Sequence, residues 1–322
     1  MCHAPDGIVV MFVTQPSPTV DRLAGRHYVS AMKFGLYAIN YGTCGDPESL
    51  VKVAQYAEAA GIDSLWAGEH IVVPSPQPPD YGIAPEIPFL DAIVALALAA
   101  ANTTTITVGT GVIELPLHQP VLLAKQLASV DQISRGRLIV GVGVGYLGLE
   151  FAALGVSLDE RASRTEEYLQ ALRALWSTDA PEFHGRHVDF AGVDANPRPV
   201  QAGGPPILIG GNSDVARRRA ITSANGWIPY DLDLDAAREA RRALDRDLQD
   251  LARPESLGVF DFTIISPDNR LDPEHVKVYA ELGVNRLVCL PGLDVPRDRR
   301  YHGMPIDDVF RSIDHLAELA YE

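Results

Sequence analysis

The sequence predicts an α/β fold, a single (β/α)8 TIM barrel, and two observations support this prediction. From Lys33 onward, short β-rich runs alternate eight times with longer segments of helical period, which is the pattern of consecutive βα units on a parallel sheet. The chain of 322 residues, 47% hydrophobic and 21% charged, also supplies enough apolar side chains for one large core. Eight such units close naturally into a barrel, whereas the alternative, an open doubly wound sheet, seldom contains eight regular repeats.

The first βα unit illustrates how each element is predicted. Residues 34–40 form a β-rich run, and the helix after it begins with Asp46 as N-cap and Pro47 at the first helical position. Gly61 provides the end of this helix. Its buried face is predicted from apolar side chains at i, i+3, i+4 and i+7 spacing: Leu50, Val53, Ala54 and Ala57.

The other seven units follow the same rules. Strands are predicted at residues 62–67, 105–113, 137–145, 207–210, 227–229, 259–265 and 286–290. The helix behind the second strand is predicted at residues 89–101, and two later helices are predicted from their starts at Ser213–Asp214 and Asp272–Pro273. The other four helices are predicted from apolar stripes: Leu123, Leu127, Val130 and Ile133; Leu169, Leu172, Leu175 and Trp176; Ala237, Ala240, Leu244, Leu248 and Leu251; and Ile306, Val309, Phe310, Ile313, Ala317 and Ala320.

Three segments stand outside this repeat. Residues 1–31 lack an amphipathic period, so we expect a disordered leader or a misassigned start ahead of Met32, with an ordered arm as the alternative. Residues 32–322 are expected to form one domain. An insertion after strand two, 72–88, contains six prolines and is a candidate lid, because active sites of barrels form at that end. A second insertion before strand five, 178–205, reaches that end only if it folds back.

Composition and charge exclude several classes of function. The formal net charge is −15 and no run of five basic residues occurs, so nucleic acid is a poor partner. The three cysteines are far apart, which is typical of a reducing cytoplasm and indicates neither disulfides nor a zinc site. The histidines other than His70 show no metal-like spacing, and no metal is predicted. No apolar run is long enough to predict a membrane span.

Candidate site residues are those at the carboxyl ends of the predicted strands. His70 can accept or donate a proton near neutral pH, or it can simply fix its own loop through Glu69. Gly111 at a strand end indicates a bulge or a plain end. The alternating glycines 141, 143 and 145 are not a dinucleotide motif and more plausibly make room inside the barrel. Gly210 to Ser213 can bind an anion at a helix N-terminus, cap that helix, or do both.

Three stretches together resemble the luciferase-like family, and most closely its deazaflavin-dependent branch. They are GIDSLWAGEHIVVP, ITVGTGVIELPLHQPVLLAKQLASVDQISRGRLIVGVGVGYLGLE and PPILIGGNSDVARRRAITSANGWIP. The resemblance extends from Met32 to the end of the chain and is strongest from Ile62 to Pro229. It implies a barrel that binds coenzyme F420 and forms a homodimer.

The resemblance also implies roles for individual residues. His70 is expected to face the reactive edge of the cofactor ring as the catalytic residue. The peptide between Gly111 and Val112 is expected to be cis, in a bulge that supports the ring. From the residues themselves, Cys44 is interpreted as a small polar filler. The Arg217 to Arg219 run is interpreted as a solvated helix face, with the alternative that one of these arginines reaches the anionic tail of the cofactor. The expected cofactor-binding residues are Glu69, Gly111, Val112, Val144, Gly145, Tyr146, Gly210, Gly211, Asn212 and Ser213.

The predicted function is therefore hydride transfer between the deazaflavin F420 and a small organic substrate. One alternative is a monooxygenase that uses FMN reduced by a partner reductase, and another is a barrel that binds the cofactor without turnover. Sugar-phosphate dehydrogenases of the family carry a glutamate where this chain has Tyr146, so glucose 6-phosphate is not an expected substrate. No nucleic acid or membrane partner is expected.

Overall fold

The computed structural model describes residues 32–79, 81–177, 179–267, 271–292 and 304–321, and the predicted leader at 1–31 lies outside these ranges. Eight parallel strands close into a barrel, as predicted. In chain order the strands are β1 (Lys33–Tyr37), β2 (Ser64–Ala67), β3 (Thr107–Thr110), β4 (Ile113–Glu114), β5 (Leu138–Gly143), β6 (Phe183–His184), β7 (Asp189–Phe190), β8 (Ile207–Gly210), β9 (Gly226–Ile228), β10 (Asp261–Ser266) and β11 (Arg286–Cys289). Three of these, the short strands β4, β6 and β7, accompany the eight of the barrel in the described residues.

The barrel strands lie in the order β3, β2, β1, β11, β10, β9, β8 and β5, and pairing of β3 with β5 closes the ring. The α-helices pack around it. They are α1 (Pro47–Ala59), α2 (Ala92–Ala101), α3 (Pro120–Ser134), α4 (Gly148–Ala153), α5 (Arg161–Ser177), α6 (Asp214–Ser223), α7 (Leu234–Asp250), α8 (Pro273–Glu281) and α9 (Ile306–Tyr321).

Side-chain caps fix the helix starts where the sequence predicts them. The Asp46 carboxylate accepts a hydrogen bond from the backbone N–H of Ser49 at 2.9 Å, and Asp272 accepts one from His275 at 2.8 Å. The Ser213 hydroxyl accepts one from Ala216 at 3.2 Å. Such caps satisfy backbone donors that the first helical turn leaves unpaired.

Two helices differ from the prediction. Ile133 is 45% exposed, because the buried stripe of α3 continues from Val130 to the small residue Ser134, four positions on. Helix α4 was not predicted at all, because its six residues are too few to show an apolar period.

The third strand carries a bulge, as the resemblance implies. Four residue steps separate Gly109 from Ile113, whereas their partners on β5, Ile139 and Val142, are three steps apart. The strand therefore has one extra residue at the break between β3 and β4, which is the definition of a β-bulge.

The two insertions lie in different places. Tyr81, Gly82 and Ile83 of the first insertion reach the mouth at the carboxyl ends of the strands. The second insertion forms the β6–β7 hairpin against α5, where the backbone N–H of His187 donates to the Glu167 carboxylate at 2.7 Å. None of its described residues lines the mouth. Among the residues that the structure describes, no helix is both long and apolar enough to cross a membrane.

Trp66 fills the interior of the barrel below the mouth. It is fully buried and packs in a cluster with inward-facing side chains of other strands, including Leu208 and Val288. Its neighbours on the adjacent strands are glycines: a Cβ at Gly35 or at Gly109 would lie 2.7 Å from atoms of the indole. The absence of side chains at these positions therefore makes room for the large ring.

We predict that Gly109→Ala destabilises the protein, because the added methyl group overlaps a fully buried indole. Overpacking of this kind typically costs about 1–3 kcal/mol, and thermal or denaturant unfolding measures it. Gly148→Ala is the matched control, because there the nearest atom would be 3.9 Å from the added Cβ. Equal stability of the two variants would contradict this account of the barrel interior.

Candidate functional site

A cavity of about 970 Å³ opens at the carboxyl ends of the barrel strands. Its volume is at the upper end of the range of roughly 300–1,000 Å³ that is usual for small-molecule sites. Most of the residues predicted for the site line this cavity: Glu69, His70, Gly111, Val112, Val144, Gly145, Tyr146, Gly210, Gly211 and Ser213. Asn212 is the exception, because its amide is bonded to the backbone of Tyr230, at 2.7 Å to the oxygen and 3.0 Å to the nitrogen.

The bulge forms the floor of the cavity. The peptide between Gly111 and Val112 is cis, which confirms the prediction. The Tyr37 hydroxyl donates a buried hydrogen bond of 2.6 Å to the Gly111 carbonyl oxygen. This contact connects the bulge to the first strand of the barrel.

The side chain of Val112 packs among glycines of two other strands. A Cβ at Gly143 or at Gly210 would lie 2.8 Å from a methyl group of Val112, and one at Gly141 would lie 3.1 Å away. The alternating glycines thus make room inside the barrel, as the sequence indicates. They leave space for one branched side chain at the centre of the cavity floor.

His70 is held by a carboxylate that the sequence analysis did not identify. Its Nδ1 lies 3.0 Å from Oε2 of Glu150, a fully buried residue of α4. The other oxygen of Glu150 accepts hydrogen bonds from the backbone N–H groups of Ile71, at 2.6 Å, and Val72, at 3.2 Å. The hypothesis that His70 fixes its loop through Glu69 is wrong, because the Glu69 carboxylate is bonded to Glu114 and His118 instead.

Glu69 instead joins the loop after β2 to the bulged strand. Its Oε2 accepts a hydrogen bond of 2.6 Å from the backbone N–H of Glu114 and lies 3.0 Å from Nε2 of His118. Burial acts to lower the pKa of His118, but the hydrogen bond and the charge of Glu69 outweigh it and hold that pKa above its usual value. His118 is therefore the charge partner of Glu69.

Glu114 is the second carboxylate that sequence reasoning missed. It lines the cavity and is 5% exposed. Burial, followed by the charges of Glu150 and Glu69, raises its pKa to about 8. A sequence signal for both residues existed, because each is a single acidic residue in an otherwise apolar stretch, VIELPL and LGLEFAAL. A lone carboxylate in such a stretch indicates a buried polar role.

These groups form a cluster that sequence spacing does not indicate. One ligand atom each of His70, Glu114 and Glu150 lies within 4.8 Å of the others. The residues are far apart in sequence and come together because they follow β2, the bulge and β5. The prediction of no metal used sequence spacing alone, which cannot detect such a cluster.

The start of α6 provides a site of opposite charge. Arg219, in the second turn of α6, lines the same cavity as Gly210 and Gly211, is 7% exposed and pairs with Glu166 at 3.0 Å. Its Nε has no hydrogen-bond partner among the residues that the structure describes. A helix N-terminus with a nearby guanidinium favours an anionic group.

The interpretation of the arginine run as a solvated face is wrong for two of its three residues. Arg219 and Arg217 are buried, and Arg217 pairs with Asp247 at 2.8 Å and lies over the Trp227 ring. Only the side chain of Arg218, 54% exposed, is solvated. The helix packs these two arginines inward because each finds a carboxylate.

Aromatic side chains form the wall around His70. The ring centroids of Tyr81, Phe89 and Tyr146 lie 6.0, 6.2 and 5.9 Å from that of His70, all in edge-on arrangements.

Cys44 does not line the cavity, and burial raises the pKa of its thiol to about 12, which fits a filler.

Comparisons with known proteins identify the family of the chain. The family model described as luciferase-like monooxygenase matches residues 28–267. An uncharacterized protein of Mycobacterium tuberculosis is 30% identical over 281 residues, which are 83% of this chain and 93% of that protein. The FMNH2-dependent dimethylsulfone monooxygenase of Pseudomonas fluorescens is 36% identical over 172 residues, 52% of this chain and 44% of that enzyme.

Solved structures share the fold at low identity. The coenzyme F420 dependent tetrahydromethanopterin reductase of Methanopyrus kandleri superposes with a TM-score of 0.66 at 16% identity, covering 90% of this chain and 98% of that one. Proteins similar to this chain thus include users of both flavin and deazaflavin.

Proposed function

Because the chain belongs to the luciferase-like monooxygenase family, we propose that it is an oxidoreductase that transfers a hydride between coenzyme F420 and a small organic substrate. The observation that carries this proposal is one cavity that combines an apolar floor at Val112, a histidine bound to a buried carboxylate, and a helix N-terminus beside Arg219. His70 follows β2 and α6 follows β8. In the barrel, β3 and β5, whose residues form the floor, lie between these two strands.

The residues present fit a deazaflavin with an anionic tail. A flat ring system requires an apolar floor with aromatic walls, and Val112, Tyr37 and Tyr230 supply these. An anionic tail requires N–H donors, and the backbone of Gly210 to Ser213 with the start of α6 supplies them. We assign the ring to the floor, contacted also by Gly111, Val144 and Gly145, and the tail to the start of α6. When bound, this cofactor supplies two-electron hydride exchange.

His70 supplies the proton chemistry in this proposal. Glu150 receives two backbone N–H groups and is therefore held as an anion, so Nδ1 of His70 carries the hydrogen of their 3.0 Å contact. Nε2 is then the nitrogen that holds or releases a proton for the substrate. A barrel that binds the cofactor without turnover would not need this pairing, which favours the enzyme over that alternative.

The alternative of a flavin-dependent monooxygenase is favoured by the FMNH2-dependent relative. Cofactor binding distinguishes the two. We predict that titration of the cofactor-free protein with F420, followed by fluorescence or absorbance, gives a Kd at least about tenfold below that for FMN, a difference of about 1.4 kcal/mol. Tight binding of FMN with none of F420 would contradict the proposal and favour the monooxygenase.

The tail position is tested with a substitution that keeps the helix cap. Ser213→Asp retains a capping oxygen for α6 but adds a negative charge where the anionic tail is expected. We predict a rise of about tenfold or more in the Kd for F420, with little change in the Tm of the cofactor-free protein. Ser213→Thr, which caps without charge, is the matched control. A deazaflavin without phosphate should bind both variants with the same Kd. If Ser213→Asp weakens its binding as much as that of F420, the tail lies elsewhere.

A further inference from the structure

The carboxylates of Glu114 and Glu150 meet beside His70 in a buried part of the cavity. Glu150 is fully buried and Glu114 is 5% exposed. One oxygen of each carboxylate and one ring nitrogen of His70 all lie within 4.8 Å of one another. Two ionised carboxylates so close together repel each other, and burial weakens the screening of that repulsion.

The hydrogen-bond donors around this pair are distributed unequally. Glu150 accepts from Nδ1 of His70 at 3.0 Å and from the backbone N–H groups of Ile71 and Val72 at 2.6 and 3.2 Å. By contrast, Oε2 of Glu114 is buried and receives no donor from any part of the chain that the structure describes. An ionised oxygen in that position would be an unpaired buried charge, which is far more costly than a neutral carboxyl group.

We propose that Glu114 and Glu150 share one proton, carried by Glu114 as a neutral acid that donates to Glu150, and that this proton sets the charge felt by His70. A hydrogen bond between two carboxyl groups requires that one of them carry a proton. The arrangement gives every buried oxygen of the pair a suitable partner. Glu114 acts through Glu150 and is therefore a positioning residue for His70.

The other ionisable groups that face Glu114 are Glu69 and Tyr81. Glu69, which binds its backbone N–H, adds a further negative charge, and that charge is partly offset by His118. Tyr81, from the first insertion, is also close enough to interact with Glu114 and contributes no positive charge. Burial and the two neighbouring carboxylates together raise the pKa of Glu114 to about 8.

The consequence for His70 follows from the charge of the pair. While Glu114 is protonated, the pair carries one negative charge, and Nε2 of His70 can release its proton. When Glu114 loses its proton to solvent, the pair carries two negative charges, and the imidazolium form of His70 is stabilised. The charge of the pair and the proton on His70 are therefore linked in this proposal. The use of this linkage in turnover rests on the proposed function, but the shared proton itself does not.

The proton is measured in the cofactor-free protein, so the test is independent of cofactor choice and of activity. We predict that the side-chain carboxyl ¹³C resonance of Glu114 titrates with a midpoint near 8, and that the ring resonances of His70 show a step at the same pH. In Glu114→Gln, whose amide mimics the neutral acid, the step of His70 should vanish. Glu281→Gln, at the exposed end of α8, is the matched control and should keep it.

Stability provides a second readout. An acid whose folded pKa is raised destabilises the folded state progressively as pH rises from its unfolded pKa to its folded pKa. The Tm of Glu114→Gln minus that of the parent should therefore increase between pH 5 and pH 8.5, by roughly 3 °C or more. The same difference for Glu281→Gln should stay constant.

Two results would overturn the proposal. The first is a Glu114 resonance that titrates in the ordinary acidic range of about 4 to 5, which the parent protein alone can reveal. The second is a Zn²⁺-dependent rise in Tm that is lost in Glu114→Gln, because it would identify the same three side chains as a metal site. If F420 fails to bind while the titration is as expected, the proposed function fails and the shared proton remains.

Discussion

The packing of Val112 against three glycines is the contact on which the mouth of this barrel depends. The side chain occupies space that Gly141, Gly143 and Gly210 leave empty, and it does so because the third strand carries one extra residue there. After the bulge the strand pairs again with β5, at Glu114 and Gly143. That register brings the Glu114 backbone to Glu69 and its side chain to Glu150. Floor and acid cluster therefore have one structural origin.

Charge is arranged unequally around this floor. The carboxylates of Glu114 and Glu150 lie beside His70, and that of Glu69 lies against His118, whereas Arg219 and the start of α6 follow β8. A ligand with an anionic tail and a neutral ring is thus oriented by repulsion at one place and attraction at another. The net charge of −15 does not prevent such binding, because the local donors and not the overall charge face the tail.

The sequence predicted the barrel, the starts of three helices and ten of the residues that line the cavity, because period, caps and strand ends are local signals. Asp46 and Asp272 cap the helices expected, and His70, Gly111 and Gly210 line one cavity. Glu150 was missed because α4 is too short to show a period and its partner His70 is 80 residues away in sequence. The burial of Arg217 and Arg219 was missed for a similar reason, since Asp247 and Glu166 lie on other helices. Contacts between distant segments have no signature in one sequence.

The central claim is that a deazaflavin ring lies on Val112 with His70 beside it and its tail at the start of α6. A crystal structure of the protein with F420 tests this most directly. The account predicts the ring in van der Waals contact with the Val112 side chain, Nε2 of His70 directed at the reactive edge, and the phosphate bonded to backbone N–H groups of Gly211 to Ser213. A ring bound away from Val112, or a phosphate remote from α6, would contradict it.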